Sequence, residues 1–215
     1  MDKFVRLTAV ACPLAVANID TDQLLPARYL KVPRSAGLGG MLMHDLRRNA
    51  DGSLRGDFPL NQPVWREAKI IVGGANFGGG SSREAAVYAL YDAGIRCVIA
   101  PSFGDIFAQN CVKNGLLPVV LPESTVHELA ATLNSRPGLK LTVDLENQTI
   151  TCGNRIYRFE IDSSRRAQLL NGWDDVDLTK SHESEIAAFK VAHHRRFPWV
   201  FGASAATGNK NSSKT

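Results

Sequence analysis

The segment 68–103 constrains the fold of this chain more than any other part of it. AKIIVGG (68–74) is a short β-branched run of the kind that forms a buried strand. ANFGGGSS (75–82) is a glycine-rich loop, SREAAVYALYDAG (82–94) reads as a helix stopped by Gly94, and IRCVIAPSF (95–103) opens with a second buried strand. Strand, loop, helix and strand in succession predict a βαβ unit, hence two parallel strands joined by a right-handed crossover.

The flanking sequence extends this α/β plan. Residues 4–16 alternate weakly and read as a first strand; 104–114 read as a short helix ending at Asn114-Gly115 and 116–122 as a further strand. A helix over 123–135, capped near Ser124, leads into three short strands within 139–161, with turns at Glu146-Asn147 and Gly153-Asn154. Helices are expected at about 163–171 and 182–194. NIDTDQLLP (18–26) is a polar turn that runs into an apolar stop at Pro26. Residues 31–62, rich in Gly and Pro, form a long loop with one short helix near 41–48, and loops of this length are usually functional or disordered. The whole reads as one domain over 1–201 with 31–62 as a loop-rich insertion on the substrate side; the tail 202–215, with Ala as its only apolar residue type, is expected to be disordered.

Composition excludes several classes. The chain has 25 basic and 21 acidic residues, a net charge of +4, and its arginines are scattered. That balance lacks the clustered stripe of many nucleic-acid-binding domains but suits a small anionic substrate. No apolar run approaches the ~18 residues of a membrane span, and Asp2 spoils a signal-peptide reading of the N-terminus, so a cytoplasmic location is expected. Cys12, Cys97, Cys111 and Cys152 form no CxxC or Cys/His cluster at metal-ligand spacing, so no metal or cofactor site is expected in this chain. The five histidines are spread along the chain and read as structural or solvated.

GGGSSRE (78–84) carries the chemistry. Three glycines allow backbone to approach a ligand closely. Ser81 and Ser82 are expected at the start of the following helix, where free N–H groups and the helix dipole favour an anion, and Arg83 adds a planar fork suited to a carboxylate. A lone serine at a helix start is ordinarily an N-cap contributing ~1 kcal/mol; Gly78, Gly79, Gly80, Ser81, Ser82 and Arg83 in succession point instead to an anion-binding corner holding a hydroxyl. The segment is neither GxGxxG, nor a Walker loop, nor a GxSxG elbow.

FGGGSSRE also resembles the FGxGSSRE signature of aconitase-type small domains. NIDTDQLLP (18–26), VIAPSFGDIFAQN (98–110), NGLLP (114–118) and YRFEID with SRRAQLLNG (157–172) resemble the other blocks of that family, in order, so that the resemblance covers most of residues 4–190. The pattern is most similar to the isopropylmalate dehydratase small subunits of the aconitase superfamily. This implies an α/β fold, the swivelling β/β/α domain of the aconitase C-terminal domain, and the small subunit of a hydro-lyase of leucine biosynthesis that interconverts 2-isopropylmalate and 3-isopropylmalate. A large-subunit partner would carry a [4Fe–4S] cluster.

Carried over residue by residue, the resemblance assigns the catalytic serine to Ser81 and support of its alkoxide to Arg83. Substrate binding falls to Ser82, to Asp20, Thr21 and Asp22 of the polar turn, and to Tyr29, Leu30 and Lys31, which resemble the loop contacting the substrate's variable side chain. Asp105 and Asn110 lie in a block near the cleft, where turn and cap chemistry explains them equally well. The chain departs from the family pattern at Gly79, Ala85 and Lys31, where Cys, His and Arg are usual. Two alternatives stay open: the same chemistry on another substituted malate, such as 2-methylmalate or a dimethylmalate, and a non-catalytic swivelling domain that binds a small anion or RNA.

Overall fold

In the central strands a period of two sorts side chains to opposite faces of one sheet. The computed structural model describes residues 1–200. The strands β1 (Arg6–Leu14), β2 (Ile70–Gly73), β3 (Cys97–Ala100) and β4 (Leu117–Val120) are parallel neighbours, and β5 (Lys140–Asp144), β6 (Thr149–Cys152) and β7 (Arg155–Arg158) continue the sheet antiparallel, in the order β4-β3-β2-β1-β5-β6-β7. Ala11, Ile70, Cys97 and Leu117 stand in register across the four parallel strands and share one buried cluster, while Cys12, Ile71 and Val98 belong to the cluster on the opposite face. Strands buried on both faces read as unbroken apolar runs, which is how Ile70–Gly73 and Cys97–Ala100 appear in the sequence.

The helices are distributed as strand order requires. α3 (Ala85–Asp92) and α4 (Asp105–Lys113) connect β2 to β3 and β3 to β4, two steps in one direction, and right-handed crossovers in one direction lie on one face. Accordingly Ala86, Val87 and Leu90 of α3 and Phe107 and Cys111 of α4 share a cluster. α5 (Glu123–Ser135) returns the chain past β1 to β5 and packs on the other face. Its buried residues Val126, Leu129, Ala130 and Leu133 follow the i, i+3, i+4, i+7 spacing of an amphipathic helix.

Several local expectations are corrected. The 18–26 turn contains a helical turn, α1 (Thr21–Leu24), whose capping box pairs the Asp20 side chain with the Gln23 N–H and the Gln23 side chain with the Asp20 N–H. α5 begins directly after Pro122 with no side-chain cap. The 31–62 loop holds α2 (His44–Arg47) and three 3-10 turns, at Arg34–Ala36, Gly39–Met41 and Pro59–Asn61. After α6 (Ser163–Asn171), the expected C-terminal helix is preceded by α7 (Asp175–Ser181), α8 itself running Glu183–Arg196.

Residues 1–174 form one compact unit, and the described residues from 175 to 200 belong to a second. In the second, the Phe189 and His193 rings stack 5.3 Å apart on α8. The tail expectation for 202–215 lies outside the described residues.

Leu129 is fully buried where α5 covers the sheet. Leu129→Ala should therefore cost ~2–5 kcal/mol of unfolding free energy through lost transfer energy and a residual cavity. Urea denaturation should show a lower midpoint at an unchanged m-value.

Candidate functional site

The loops leaving the carboxyl ends of β1, β2 and β3 zip together beyond the strands. The Gly78 N–H donates to Ile19 O at 2.7 Å and the Thr21 N–H to Gly79 O at 3.0 Å, which makes a parallel bridge between Asp20 and Gly79. On the other side the Phe77 N–H donates to Ser102 O and the Gly104 N–H to Phe77 O, both at 3.0 Å. In open α/β sheets this end of the strands is where ligands bind.

The glycines are needed for contact as well as for turning. Gly78 has φ +71°, and a Cβ there would sit 2.2 Å from the Phe107 ring. That ring packs with Phe77 and Phe103, at centroid distances of 5.8 and 6.3 Å, and supports the loop from below. Asn18 and Asn76 both have positive φ, 58° and 54°, and the Asn76 Nδ2 donates to Asn18 Oδ1 at 3.0 Å. The Asn76 amide fills the space beside Gly79: a Cβ at Gly79 would lie 2.7 Å from Asn76 Oδ1. A side chain at Gly79 would require the Asn76 amide to move, and nothing further in the structure explains glycine where the family usually has cysteine.

Ser81 stands at the mouth of a ≈ 270 Å³ cleft between Asn76 and Gly78–Ser81 on one side and Gly104–Phe107 on the other. Its side chain is exposed, and its N–H donates to the Oγ1 of Thr21 at 3.3 Å. Thr21 is 1% exposed, so this acceptor is held in the core. The expectation that Ser81 and Ser82 open the following helix is corrected. α3 begins at Ala85 with Glu84 at its cap, four residues after Ser81, whose N–H is bonded to Thr21 instead. The helix start lining the cleft is instead that of α4, capped by Gly104.

Arg83 is ion-paired through Nη1 with Asp22. Asp20 spends its carboxylate on the α1 cap, and Asn110 Nδ2 lies 3.5 Å from Ser82 O. The fold thus brings Asp20, Thr21, Ser81 and Ser82 to one corner and couples Arg83 to Asp22. Of these residues only Ser81 lines the cleft, facing Asp105 and Ile106, while Asp20, Thr21, Asp22, Ser82 and Arg83 lie outside its lining. Tyr29, Leu30 and Lys31 are not among its lining residues. Tyr29 packs against His44, with centroids 5.3 Å apart, while Leu30 is 42% exposed. Leu38 and Leu42 anchor that segment in the core, helped by the Leu38 N–H bond to Asp92 Oδ2 at 2.8 Å. Sequence reasoning missed Asn18 and Asn76; the available signal was an asparagine closely following each strand, a residue type that tolerates left-handed backbone.

The four cysteines do not suit a cluster. They lie on β1, β3, α4 and β6, all buried, and among the described residues no group of three His, Cys, Asp or Glu is placed to hold a metal ion. Burial pushes the Cys12 thiol up to about 12 and raises Cys97, Cys111 and Cys152 as well. Among the described residues no helix is long and apolar enough to cross a membrane.

Comparison with known proteins places this geometry in context. A family model described as the aconitase C-terminal domain matches residues 1–124, and a second, LeuD_N, matches 127–163. The chain is 50% identical over 203 residues to the 3-isopropylmalate dehydratase small subunit of Rhodospirillum centenum, covering 94% of this chain and all of that protein. It is 48% identical over 201 residues to the protein of the same name from Paracoccus denitrificans, covering 93% and 100%. The crystal structure of a 3-isopropylmalate dehydratase from Methanocaldococcus jannaschii superimposes with a TM-score of 0.61 at 27% identity, over 85% of this chain and 98% of that one.

The raised thiols imply a pH dependence. A folded-state pKa above the ordinary 9.0 stabilises the fold fully below that value, and the stabilisation is lost as pH rises towards the folded-state value, about 12 for Cys12. Unfolding free energy from urea titrations should fall between about pH 9 and 11, and less steeply in Cys12→Ala. Equal slopes in the two proteins would remove Cys12 from the account.

Proposed function

The chain belongs to the family of 3-isopropylmalate dehydratase small subunits in the aconitase superfamily, and we propose that it serves as that subunit in leucine biosynthesis, in a hydro-lyase interconverting 2-isopropylmalate and 3-isopropylmalate. The observation that carries this is the 50% identity to a named small subunit along that protein's whole length. The fold agrees, and a cytoplasmic location goes with such a role. Assignment of all of 1–201 to one domain belongs to the same proposal.

The reaction removes a proton from a carbon beside a carboxylate, expels a hydroxyl from the next carbon, and adds water back in the opposite sense. Ser81 is proposed as the base. Its exposed side chain at the cleft mouth and the tie from its backbone to buried Thr21 support this role. A serine alkoxide needs fixed positive potential, which the α4 N-terminus and Arg83 supply in a closed, dry site. Arg83 has five N–H donors. Its pair with Asp22 uses Nη1 and fixes the orientation of the guanidinium, leaving Nε and Nη2 for a substrate carboxylate. Asp22 is therefore proposed to aim Arg83, Ser82 and Asp20 to complete the polar floor, and Thr21 to serve substrate binding from beneath, through its hold on the Ser81 backbone.

The hydroxyl-accepting half of the chemistry lies elsewhere, since this chain's cysteines do not fit a cluster. We propose a large-subunit partner whose [4Fe–4S] cluster supplies the Lewis acid. Tyr29, Leu30 and Lys31 are assigned to the substrate's alkyl group, with the 42% exposure of Leu30 as the supporting observation, since a core anchor would be covered.

In the enzyme reconstituted with its large subunit, Ser81→Ala should abolish turnover while leaving folding and subunit association intact. Arg83→Lys should lose on the order of 2–4 kcal/mol of transition-state stabilisation, read from kcat/KM. A near-normal kcat for Ser81→Ala removes the base assignment, and less than a few-fold change for Arg83→Lys removes direct substrate contact.

Replacing Leu30 with Arg should shift the ratio of kcat/KM from alkyl malates towards malates with a carboxylate side chain, by ~1–3 kcal/mol for each substrate methylene that Leu30 covers. An unchanged ratio with reduced stability would make Leu30 a packing residue.

A further inference from the structure

A second cavity, of ≈ 280 Å³, opens at the C-terminal end of α3, where Ala93 and Ile95 line it. Ser81 and Arg83 precede the other end of that helix, and its eight residues at ~1.5 Å rise put about 12 Å between the two.

The cavity combines two chemistries. Leu42, Leu54, Leu60 and Ile95 give it an apolar wall, and Arg47, Arg48 and Arg66 line it with no carboxylate residue beside them. Arg47 is fixed in place: its Nε donates to Asn61 Oδ1 at 2.9 Å, and Asn61, 8% exposed, donates back to Arg47 O at 2.7 Å. Arg48 donates to Gly52 O at 2.7 Å. These acceptors are all neutral, and among the described residues none of the three guanidiniums has an anionic partner. Burial first, then the neighbouring Arg48, lowers the Arg47 guanidinium from its ordinary value. A half-buried cation beside like charges is a cost that a bound anion relieves.

The rim is built, not incidental. A tight hairpin, with a bridge between Arg48 and Leu54 and the Asn49 N–H donating to Ser53 O at 2.9 Å, sets a cation and a 47%-exposed leucine side by side. We propose that this cavity is a second binding site, apart from the Ser81 cleft, for a small monocarboxylate with a short aliphatic body. The carboxylate would meet the arginine forks and the alkyl group would cover Leu54 and Leu60. The volume sits just below the ~300–1,000 Å³ range of ordinary ligand pockets, which fits a ligand of a few carbons.

The test is calorimetric titration of 4-methylpentanoate into the full-length chain, alone and co-purified with its large subunit, with 4-methylpentanamide and inorganic phosphate as controls. Saturable one-to-one binding of the acid is expected in both preparations, with the amide and phosphate much weaker. Arg66→Gln and Leu54→Asp, at exposed positions, should each weaken binding about tenfold, the effect of removing one charge-assisted or apolar interaction. Ser81→Ala should leave it unchanged. The proposal is overturned by absence of binding, by binding that survives both cavity variants, or by binding that disappears in Ser81→Ala, which would put the acid in the reaction cleft. It is also overturned if phosphate binds as tightly as the acid, which would make the cavity a plain anion site, or if the large subunit abolishes binding, which would make it a surface that the partner covers.

Discussion

β1 divides its hydrogen bonds between two neighbours, and the rest of the sheet depends on that division. Residues 11–14 pair parallel with β2, while 6–10 pair antiparallel with β5. One nine-residue strand thus joins a parallel, doubly covered half to an antiparallel half. The alternation of its side chains is shared with β2, so Ala11 and Cys12 begin the two buried layers that β3 and β4 extend. A one-residue slip would turn both layers over, and the register is correspondingly well determined.

The glycine-loop corner inherits its precision from this arrangement. Because β1 and β2 are in register, their following loops leave side by side, and the bridge between Asp20 and Gly79 continues the ladder past the strands. Ser81 is therefore held by backbone and by a buried threonine, with its hydroxyl free of structural duties. Neighbouring groups are more committed: Asp20 caps α1 and Asp22 holds Arg83. The corner is preorganised on its scaffold side and open on the side where substrate and partner would enter.

Much of this was legible in the sequence, and the misses have a common origin. Segment 68–103 announced its strands and helix because apolar period and glycine punctuation are local signals. The helix after the glycine loop starts at Ala85, later than its sequence suggests, and the Ser81 N–H bonds instead to Thr21, sixty residues away. Propensity does not register such a bond. The capping box at Asp20 and Gln23 was readable as a D-x-x-Q pattern but was subsumed in a turn. The 31–40 stretch looked irregular from its Gly and Pro content, yet Leu38 pins it to Asp92 on α3 and Arg34 lies 3.8 Å over the Tyr88 ring. The Ser81 corner itself was recognisable because its residue types are contiguous; the arginine-lined cavity was not, because Arg47, Arg48 and Arg66 meet only after the loop folds back on β2.

The split pairing of β1 also orders events in time. During synthesis the amino-terminal strand emerges first, but its partner over residues 6–10 lies at 140–144, so that edge stays open until most of the chain has been made. A hydrogen bond such as that between Thr8 and Thr142, 134 residues apart, closes a large loop, and contacts of that span slow folding. The parallel half has all its strands by residue 120 and can assemble earlier. The nascent protein thus passes through a stage with an exposed β-edge, the kind of surface on which chains stick to one another and which chaperones shield.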